Sequence, residues 1–163
     1  MNDPLLRRAC PSDAAALAAL HLAARRQAMP YLPELHGDAE VRAWMSGTLL
    51  PRAEVWVADI AGQPVGYLAL VGDSLDHLYV APLHQGRGVG SLLLAKAKAL
   101  RPARLRLYAF QKNVRARAFY EARGFMAIRF SDGAGNEEQE PDVFYEWRGS
   151  RDVVEGRCSR RWC

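Results

Sequence analysis

The chain has 163 residues, half of them hydrophobic, and carries a formal net charge of +4. This length leaves room for one ordinary domain, and the apolar content is enough to bury a core, so a multidomain enzyme and a wholly disordered chain are both excluded. Residues 148–163 hold five arginines against Asp152 and Glu155, which leaves a charge of only +1 for residues 1–147. A net charge so close to zero over residues 1–147 argues against a nucleic-acid-binding protein.

The cysteine content points to a reducing compartment. Cys10, Cys158 and Cys163 are an odd number and lack the spacing of a zinc site, so we expect neither a disulfide framework nor a bound metal. We therefore expect the chain to work in the cytoplasm. The apolar run at residues 14–20 is too short and too interrupted for export or for membrane insertion, so we also expect no targeting segment.

Hydrophobic spacing and turn residues predict eleven elements in chain order. They are a strand at 5–9, helices at about 14–27 and 38–51, strands at 54–60, 64–71 and 74–80, a helix at 91–100, a strand at 104–109, a helix at 114–123, and strands at 125–130 and 143–147. This order predicts an α/β fold with a mixed sheet in a single domain, residues 1–147. Residues 148–163 are predicted to form a flexible basic tail.

A glycine-rich turn, Gln-Gly-Arg-Gly-Val-Gly at residues 85–90, joins a predicted strand to a predicted helix. Such a turn brings backbone N–H groups close to phosphates at a helix N-terminus. Ser91 follows where a Walker loop would have lysine, and a Rossmann turn would need wider glycine spacing and an acid about twenty residues later. The turn therefore favours a compact anionic ligand, unless its glycines serve only to permit positive φ angles.

Two blocks of this chain resemble signatures of the GNAT N-acetyltransferases. The segment Leu-Tyr-Val-Ala-Pro at 78–82, followed by residues 85–90, resembles the acetyl-CoA signature Q/R-x-x-G-x-G/A of that family. Asn113, Ala116, Phe119-Tyr120 and Gly124-Phe125 resemble its downstream block, in the same order and at the same distance. The resemblance spans residues 5–147. It implies a mostly antiparallel sheet with helices on both faces, and a parallel but splayed strand pair, 74–80 and 104–109, with acetyl-CoA in the gap.

The resemblance also implies how the cofactor would be held. The pantetheine arm would pair with backbone groups of the strand end, the pyrophosphate would take N–H groups of the glycine turn, and Lys112 or Arg115 would reach the 3′-phosphate. The residues expected to bind acetyl-CoA are Leu78, Tyr79, Val80, Gln85, Gly86, Arg87, Gly88, Val89, Gly90, Ser91, Asn113, Arg115 and Phe119. Acetyl-CoA would be the cosubstrate, and no metal is needed.

Acetyl transfer to an amine requires a proton donor for the departing thiolate and a proton acceptor for the amine. Tyr120 stands where the family places its general acid. Asp76 is expected to be the base, because strict strand alternation puts it on the face of Leu78 and Val80 and turns His77 away. His77, Glu54 and a water held by backbone carbonyls are the alternatives.

The acceptor side is expected to include Tyr31, Glu34 and His36, with the acidic loop at 132–142 facing them, although that loop can equally be a solvated flap. The acids favour a cationic acceptor, a small molecule or a peptide amine, beside a wall formed by Trp44 and Trp56. Transfer is expected to be direct, in a ternary complex, since no cysteine lies in either block. The alternative is a non-catalytic CoA-binding regulatory module. A homodimer is left open, and no nucleic-acid or membrane partner is expected.

Overall fold

The computed structural model describes residues 2–149, which form one seven-stranded sheet covered on both faces. The strands are β1 (Leu5–Arg8), β2 (Glu54–Ile60), β3 (Gln63–Val71), β4 (Ser74–Val80), β5 (Arg104–Phe110), β6 (Met126–Ser131) and β7 (Asp142–Arg148). The helices are α1 (Ala14–Ala28), α2 (Asp38–Trp44), α3 (Leu50–Arg52), α4 (Val89–Leu100) and α5 (Val114–Glu121). The predicted α/β fold and element order are confirmed.

The sheet consists of two antiparallel halves joined by one parallel pair. The strand order is β1-β2-β3-β4-β5-β7-β6, and β4 and β5 are the parallel neighbours. These two strands share a single paired position, Ser74 with Arg106, supported by the Arg106 N–H that donates to the Asp73 carbonyl at 2.9 Å. Beyond that point they diverge. The predicted splayed pair is therefore present, and it opens a gap beside the C-terminal end of β4.

Each face of the sheet buries its own hydrophobic core. On one face, α4 and α5 contribute Leu93, Leu94 and Tyr120 to a core that also contains Leu105 of β5. On the other face, α1 contributes residues such as Leu17, and the helical run from α2 to α3 contributes residues such as Met45. The backbone runs continuously from α2 through a π-helical turn, Met45–Leu49, into α3, where Pro51 cannot donate an N–H. The two cores hold α1 and α5 on opposite faces of the strand gap.

A β-bulge in β4 changes the side-chain alternation that the sequence suggests. Leu75 pairs with Leu70 and His77 with Ala69, which leaves Asp76 without a partner on β3. As a result Leu75 joins the same core as Leu78, while Tyr79 packs into the other core. Strict alternation from Ser74 to Val80 was therefore a wrong expectation, because one extra residue in a strand inverts the parity of everything before it.

The predicted boundary after residue 147 falls inside β7. Arg148 pairs with Arg104, and the Gly149 N–H donates to the Ala103 carbonyl at 3.0 Å, so regular backbone pairing extends to the end of the described range. The tail predicted for residues 148–163 lies, from residue 150 onward, outside the described residues.

Candidate functional site

The glycine turn has the conformation that the sequence predicts. Gly86 and Gly88 have φ angles of 72° and 84°, a region that residues with a Cβ rarely adopt, and Gly88 is the N-cap of α4. The helix starts at Val89, two residues earlier than expected from the apolar spacing, so the turn leads directly into its N-terminus. Gln85 anchors the turn, since its amide donates to the Val80 carbonyl at 3.1 Å. Backbone N–H groups at a positive helix end are thus grouped beside the gap.

A cavity of about 600 Å³, the cofactor cleft, lies between this turn, the end of β4 and α5. Its walls include Leu78, Tyr79, Val80, Gln85, Gly86, Gly88, Gly90, Ser91, Asn113, Arg115, Phe119 and Tyr120, together with Ala24, Gln27, Ala28, Met29, Ala116 and Arg123. Two residues predicted to bind the cofactor do not line it. Arg87 is exposed on the outer side of the turn, and Val89 is only 3% exposed because it packs into the core.

Tyr120 is buried in the wall of the cofactor cleft. Its ring packs edge-to-face against Phe119 and Phe125, with centroids 5.2 and 5.4 Å away. Burial, with a smaller contribution from Tyr79, raises the pKa of Tyr120 well above its ordinary value. Its hydroxyl makes no hydrogen bond within residues 2–149. The group is therefore a protonated donor without a competing partner in the part of the chain described.

Asn113 caps α5 as predicted, because its side chain accepts from the Ala116 N–H at 3.3 Å. Arg123, which neither sequence block includes, also lines the cleft. Its guanidinium lies 3.9 Å from the Phe119 ring centroid and donates to the Ser91 hydroxyl at 2.7 Å. Ser91 belongs to the first turn of α4, so this interaction holds a positive charge at the N-terminal end of that helix. The sequence signal for Arg123 is its position directly before Gly124 of the downstream block, and that signal is weak.

A second cavity, of about 680 Å³, lies on the other side of α1 and is called here the acceptor cavity. It is lined by His21, Leu22, Arg25, Arg26, Met29, Pro30, Leu32, Pro33, Glu34, Leu35, His36, Glu40, Val41, Trp44, His77, Glu137 and Glu138. Met29, the C-cap of α1, lines both cavities. The cofactor cleft and the acceptor cavity therefore adjoin at the C-terminal end of α1.

The inner wall of the acceptor cavity is a cluster of aromatic and imidazole rings. His21, Trp44 and His77 pack against one another with centroids 5.2 to 5.6 Å apart, and Tyr79 lies 4.7 Å from His21. Burial, then the charge repulsion of His77 and Arg25, lowers the pKa of His21 to about 3. Burial likewise lowers the pKa of His77 to about 4. Both imidazoles are therefore neutral at physiological pH.

The rim of the acceptor cavity carries acids that are already paired within the protein. Glu138 binds Arg25 at 2.7 Å and Glu34 binds Arg26 at 2.5 Å. His36 bridges two more acids, Glu40 at 3.1 Å and Glu137 at 2.7 Å. These hydrogen bonds, that to Glu40 first, raise the pKa of His36 above its ordinary value. The predicted acidic surface is present, but it is a network of ion pairs and not a set of free carboxylates.

The late acidic loop is held in place by its own hydrogen bonds. The Asn136 amide donates to the Glu140 carbonyl at 2.7 Å and to the Asp142 carboxylate at 3.1 Å, and Gln139 donates to the Asn136 carbonyl at 2.9 Å. Gly133 has a φ of 84°, and a Cβ there would lie 2.3 Å from the Glu140 backbone. The loop is thus a defined structure that presents Glu137 and Glu138 to the acceptor cavity, and the solvated-flap alternative does not describe it.

Several predicted acceptor-side and catalytic residues lie elsewhere. Glu34 and His36 line the acceptor cavity, whereas Tyr31 does not, and its ring packs beneath the Lys112 ammonium at 5.4 Å. Asp76 is exposed at the bulge, accepts from the Ser74 hydroxyl at 2.5 Å and lines neither cavity. His77 lies, as expected, on the face opposite Leu78 and Val80, and that face forms part of the wall of the acceptor cavity.

Glu54 and Trp56, which were expected near the acceptor or the base, both lie outside the acceptor cavity. Glu54 is engaged by Arg101 at 2.9 Å and by the Trp56 indole at 3.1 Å, and lines neither cavity. Trp56 packs under the Lys96 ammonium, 3.9 Å from its ring centroid, on the face away from the acceptor cavity. Only Trp44 of the two expected tryptophans forms part of the acceptor wall.

Comparison with known proteins decides the family. The profile described as "Acetyltransferase (GNAT) domain" matches residues 51–127. A protein of Mycobacterium tuberculosis named "Probable N-acetyltransferase Rv2775" is 33% identical over 138 residues, which cover 74% of this chain and 78% of that protein. The chain belongs to the GNAT superfamily of N-acetyltransferases. It is therefore an acyltransferase enzyme, and the resemblance inferred from the two sequence blocks is confirmed.

Two solved structures share this fold. YjaB of Escherichia coli, named a peptidyl-lysine N-acetyltransferase, is 37% identical over 79 residues, about half of each chain. Its solution structure superposes with a TM-score of 0.75 at 26% identity, covering 90% of this chain and 99% of YjaB. YncA of Salmonella typhimurium, solved with acetyl-CoA, has the same fold with a TM-score of 0.68 at 17% identity over 91% of this chain and 95% of that one.

The described residues also lack two features that other enzyme classes use. Within residues 2–149, no helix is long and apolar enough to cross a membrane. In the same range, His, Cys, Asp and Glu side chains form no group of three that is arranged to hold a metal ion. The predicted cytoplasmic location stays a prediction.

Proposed function

We propose that this enzyme transfers an acetyl group from acetyl-CoA directly to a primary amine, with the two reactants bound in the cofactor cleft and in the acceptor cavity. The observation that carries the proposal is that the two cavities adjoin at Met29, on either side of the end of α1. A thioester reaching the end of β4 would meet an amine that entered from the opposite side. The structure of YncA, which has the same fold, was solved with acetyl-CoA bound as its cofactor.

The residues of the cofactor cleft fit the chemistry of CoA. The backbone of Leu78 and Val80 borders the gap in the sheet and can pair with the amides of a pantetheine arm. Gly86 and Gly88 let the backbone approach a pyrophosphate at the N-terminus of α4. Arg123, fixed by Ser91 and Phe119, adds a positive charge there. Arg115, which donates to Gln85 at 3.3 Å, adds another.

Tyr120 is proposed to be the general acid. The amine nitrogen forms a bond to the acetyl carbon, the carbon–sulfur bond breaks, and the Tyr120 hydroxyl gives its proton to the departing thiolate. The nitrogen loses its second proton as the amide forms, and that proton restores the Tyr120 hydroxyl through solvent. Burial raises the pKa of Tyr120, so the hydroxyl is protonated in the free enzyme, and the same desolvation would raise the proton affinity of a thiolate formed beside it. Its position in the wall of the cleft, with no other hydrogen bond in the described residues, is the support for this role.

His77 is proposed to take the amine's proton in place of Asp76. An alkylammonium has an ordinary pKa near about 10.4, so roughly one molecule in 10³ is neutral at pH 7, and the proton must be removed before attack. His77 faces the acceptor cavity and is neutral, so it offers a lone pair without repelling the incoming ammonium. Asp76 has neither access to the cavity nor a free orientation, because it binds Ser74.

The acceptor is proposed to be a lysine side chain of a peptide. The inner wall is apolar and aromatic, which suits a stem of four methylenes, and the rim is polar, which suits a peptide backbone. YjaB, named a peptidyl-lysine N-acetyltransferase, is the relative that supports this choice. Small polyamines, aminoglycoside-like amines and free amino acids are the competing acceptors.

A panel of amines, assayed by release of free CoA thiol, tests this proposal. Lysine-containing peptides, with the same peptides carrying acetyl-lysine as matched controls, should give the highest kcat/KM, and mass spectrometry should find the acetyl group on the lysine. A small polyamine that outperforms every peptide would overturn the acceptor assignment. Tight binding of acetyl-CoA with no acetylated amine would instead favour the non-catalytic CoA-binding module.

A further inference from the structure

The acceptor cavity contains a second histidine, His21, whose surroundings are unusual for a core residue. Its Nδ1 lies 2.7 Å from the hydroxyl of Tyr67, a fully buried residue of β3. The ring of His21 also lines the acceptor cavity and packs edge-to-face on His77 with a centroid distance of 5.6 Å. His21 thus connects a buried hydroxyl to the side chain proposed to take the amine's proton.

The hydrogen bond to Tyr67 determines which nitrogen of His21 carries its proton. The Tyr67 hydroxyl has no other hydrogen-bond partner within residues 2–149, and a buried O–H without an acceptor is costly. Tyr67 therefore donates to Nδ1, and the neutral ring keeps its proton on Nε2. Nε2–H is then left as a donor on the side of the ring away from Tyr67, where the cavity lies.

We propose that His21 is a positioning residue, which uses Nε2–H to hold a water that carries the amine's proton to His77. The water oxygen would accept from His21 and from the amine, and one water hydrogen would face the lone pair of His77. The two rings are in contact, with centroids 5.6 Å apart, and both line the cavity, so one water inside the cavity can reach both side chains. The proton moves from the ammonium to the water, from the water to His77, and then to solvent. This role rests on the proposed function of the cavity.

The charged and titratable groups around the pair keep both rings unprotonated at rest, so His77 would hold the proton only briefly before passing it to solvent. Arg25 of α1 is near both histidines and disfavours a proton on either, while Asp76 of β4 partly offsets this for His77. Tyr67 and Tyr79 stay protonated, since burial raises the pKa of each. Trp44, at the end of α2, packs against both histidines and has no charge. Both imidazoles therefore begin the reaction unprotonated.

Two substitutions of His21 separate positioning from packing. His21→Phe keeps a ring in the cluster but removes Nε2–H, whereas His21→Gln loses the ring but keeps an amide donor at a similar reach. We expect kcat with a lysine peptide to fall about tenfold in His21→Phe, the effect of one lost hydrogen bond, and to recover in part in His21→Gln. A wild-type kcat in His21→Phe, or a lower kcat in His21→Gln than in His21→Phe, would overturn the proposal.

The choice of acceptor tests whether the effect concerns the proton. An amine that carries a trifluoromethyl group on the carbon next to its nitrogen is mostly neutral at pH 7 and needs no proton removal before attack, so the His21→Phe defect should shrink with that acceptor. An equal defect with both amines would contradict the relay. Wild-type turnover of the lysine peptide is the reference: if it is absent, the proposed function has failed, and if it is present, only the role of His21 is tested.

The tautomer of His21 gives a readout that does not depend on activity. In ¹⁵N spectra of the wild-type enzyme, we expect Nδ1 of His21 to be unprotonated and Nε2 to be protonated between pH 6 and 8. Tyr67→Phe should mix the two tautomers, while Tyr108→Phe, which removes an exposed hydroxyl on β5, should leave the spectrum unchanged. Protonated Nδ1 in the wild-type enzyme would overturn the assignment.

Discussion

The cofactor cleft and the acceptor cavity lie on the two sides of one helix, but they are built in different ways. Most of the cleft comes from two short, continuous blocks, the end of β4 with the backbone of the glycine turn, and α5 with its flanking residues, and the end of α1 completes it. The acceptor cavity is formed by side chains from α1, its following loop, α2, β4 and the late loop. Backbone sites depend on local conformation, whereas side-chain sites depend on how distant segments meet. The first is therefore readable from a motif and the second is not.

The largest change in kcat is expected at Tyr120, where the acetyl group would leave the cofactor. Tyr120→Phe should lower kcat by about 10² to 10⁴, the usual range for loss of a general acid, because only the hydroxyl disappears. The affinity for acetyl-CoA should change little, since the ring still packs between Phe119 and Phe125. Steady-state kinetics and calorimetric binding measure the two quantities separately. Unchanged kcat with a verified acceptor would show that another group protonates the thiolate.

A substitution in the glycine turn should abolish acetyl-CoA binding in the cofactor cleft. At acetyl-CoA concentrations near 100 times Kd, ligand linkage stabilises the folded protein by about 2.7 kcal/mol, which a thermal shift detects. Gly88→Glu should abolish that shift, because it adds a side chain and a negative charge where the pyrophosphate would bind.

A matched control separates this effect from backbone strain. Gly62, in the β2–β3 turn, has a φ of 83°, nearly the same as the 84° of Gly88, but it lies outside the cleft. Gly62→Glu should lower the melting temperature of the free protein and still show the full shift with acetyl-CoA. Equal ligand shifts in wild type and Gly88→Glu would remove the glycine turn from the cofactor site.

The acceptor cavity should respond to a change in the late loop that leaves the cleft untouched. Asn136→Ala removes the hydrogen bonds that hold residues 136–142 together, so Glu138 would no longer be fixed opposite Arg25. We expect KM for the amine to rise about three- to tenfold and KM for acetyl-CoA to stay constant. A parallel rise in both constants would mean that the two sites are not independent.

The rim of the acceptor cavity should show the smallest effect, a dependence of stability on pH. Because Glu40 and Glu137 raise the pKa of His36, its contribution to stability is complete below its unfolded pKa of 6.5 and is lost as the pH rises through the folded value. His36→Gln should therefore lower the melting temperature most near about pH 6 and hardly at all above about pH 8. A constant difference across this range would show that the bridge to the two acids is not formed.

Most of the fold and of the cofactor cleft follow from the sequence because their signals are local. Gly86 and Gly88 mark the turn, Asn113 marks the start of α5, and hydrophobic alternation marks the strands. The position of Asp76 could not be read from the sequence, for an equally physical reason. The bulge at Asp76 adds one residue to β4, and nothing in the sequence Ser-Leu-Asp-His-Leu reveals it. The extra residue leaves Asp76 exposed at the bulge, while His77 keeps the face of Tyr79, opposite Leu78.

The acceptor cavity was less predictable because its contacts join distant residues. Arg25 and Glu138 are 113 positions apart in the chain, and the loop that presents Glu138 is shaped by side-chain hydrogen bonds of Asn136 and Gln139. Composition indicated an acidic loop but not that its acids would be paired. Arg123 and His21 were missed for the same reason, since each acquires its position from a partner on another element.

The order in which the two substrates react tests the central claim, direct transfer between adjoining cavities, most directly. Initial rates should be measured over a grid of acetyl-CoA and lysine-peptide concentrations, with mass spectrometry of the enzyme after exposure to acetyl-CoA alone. Direct transfer predicts intersecting double-reciprocal lines and an enzyme that carries no acetyl group. Parallel lines together with an acetylated enzyme would contradict it, because the acetyl group would then pass through a covalent intermediate.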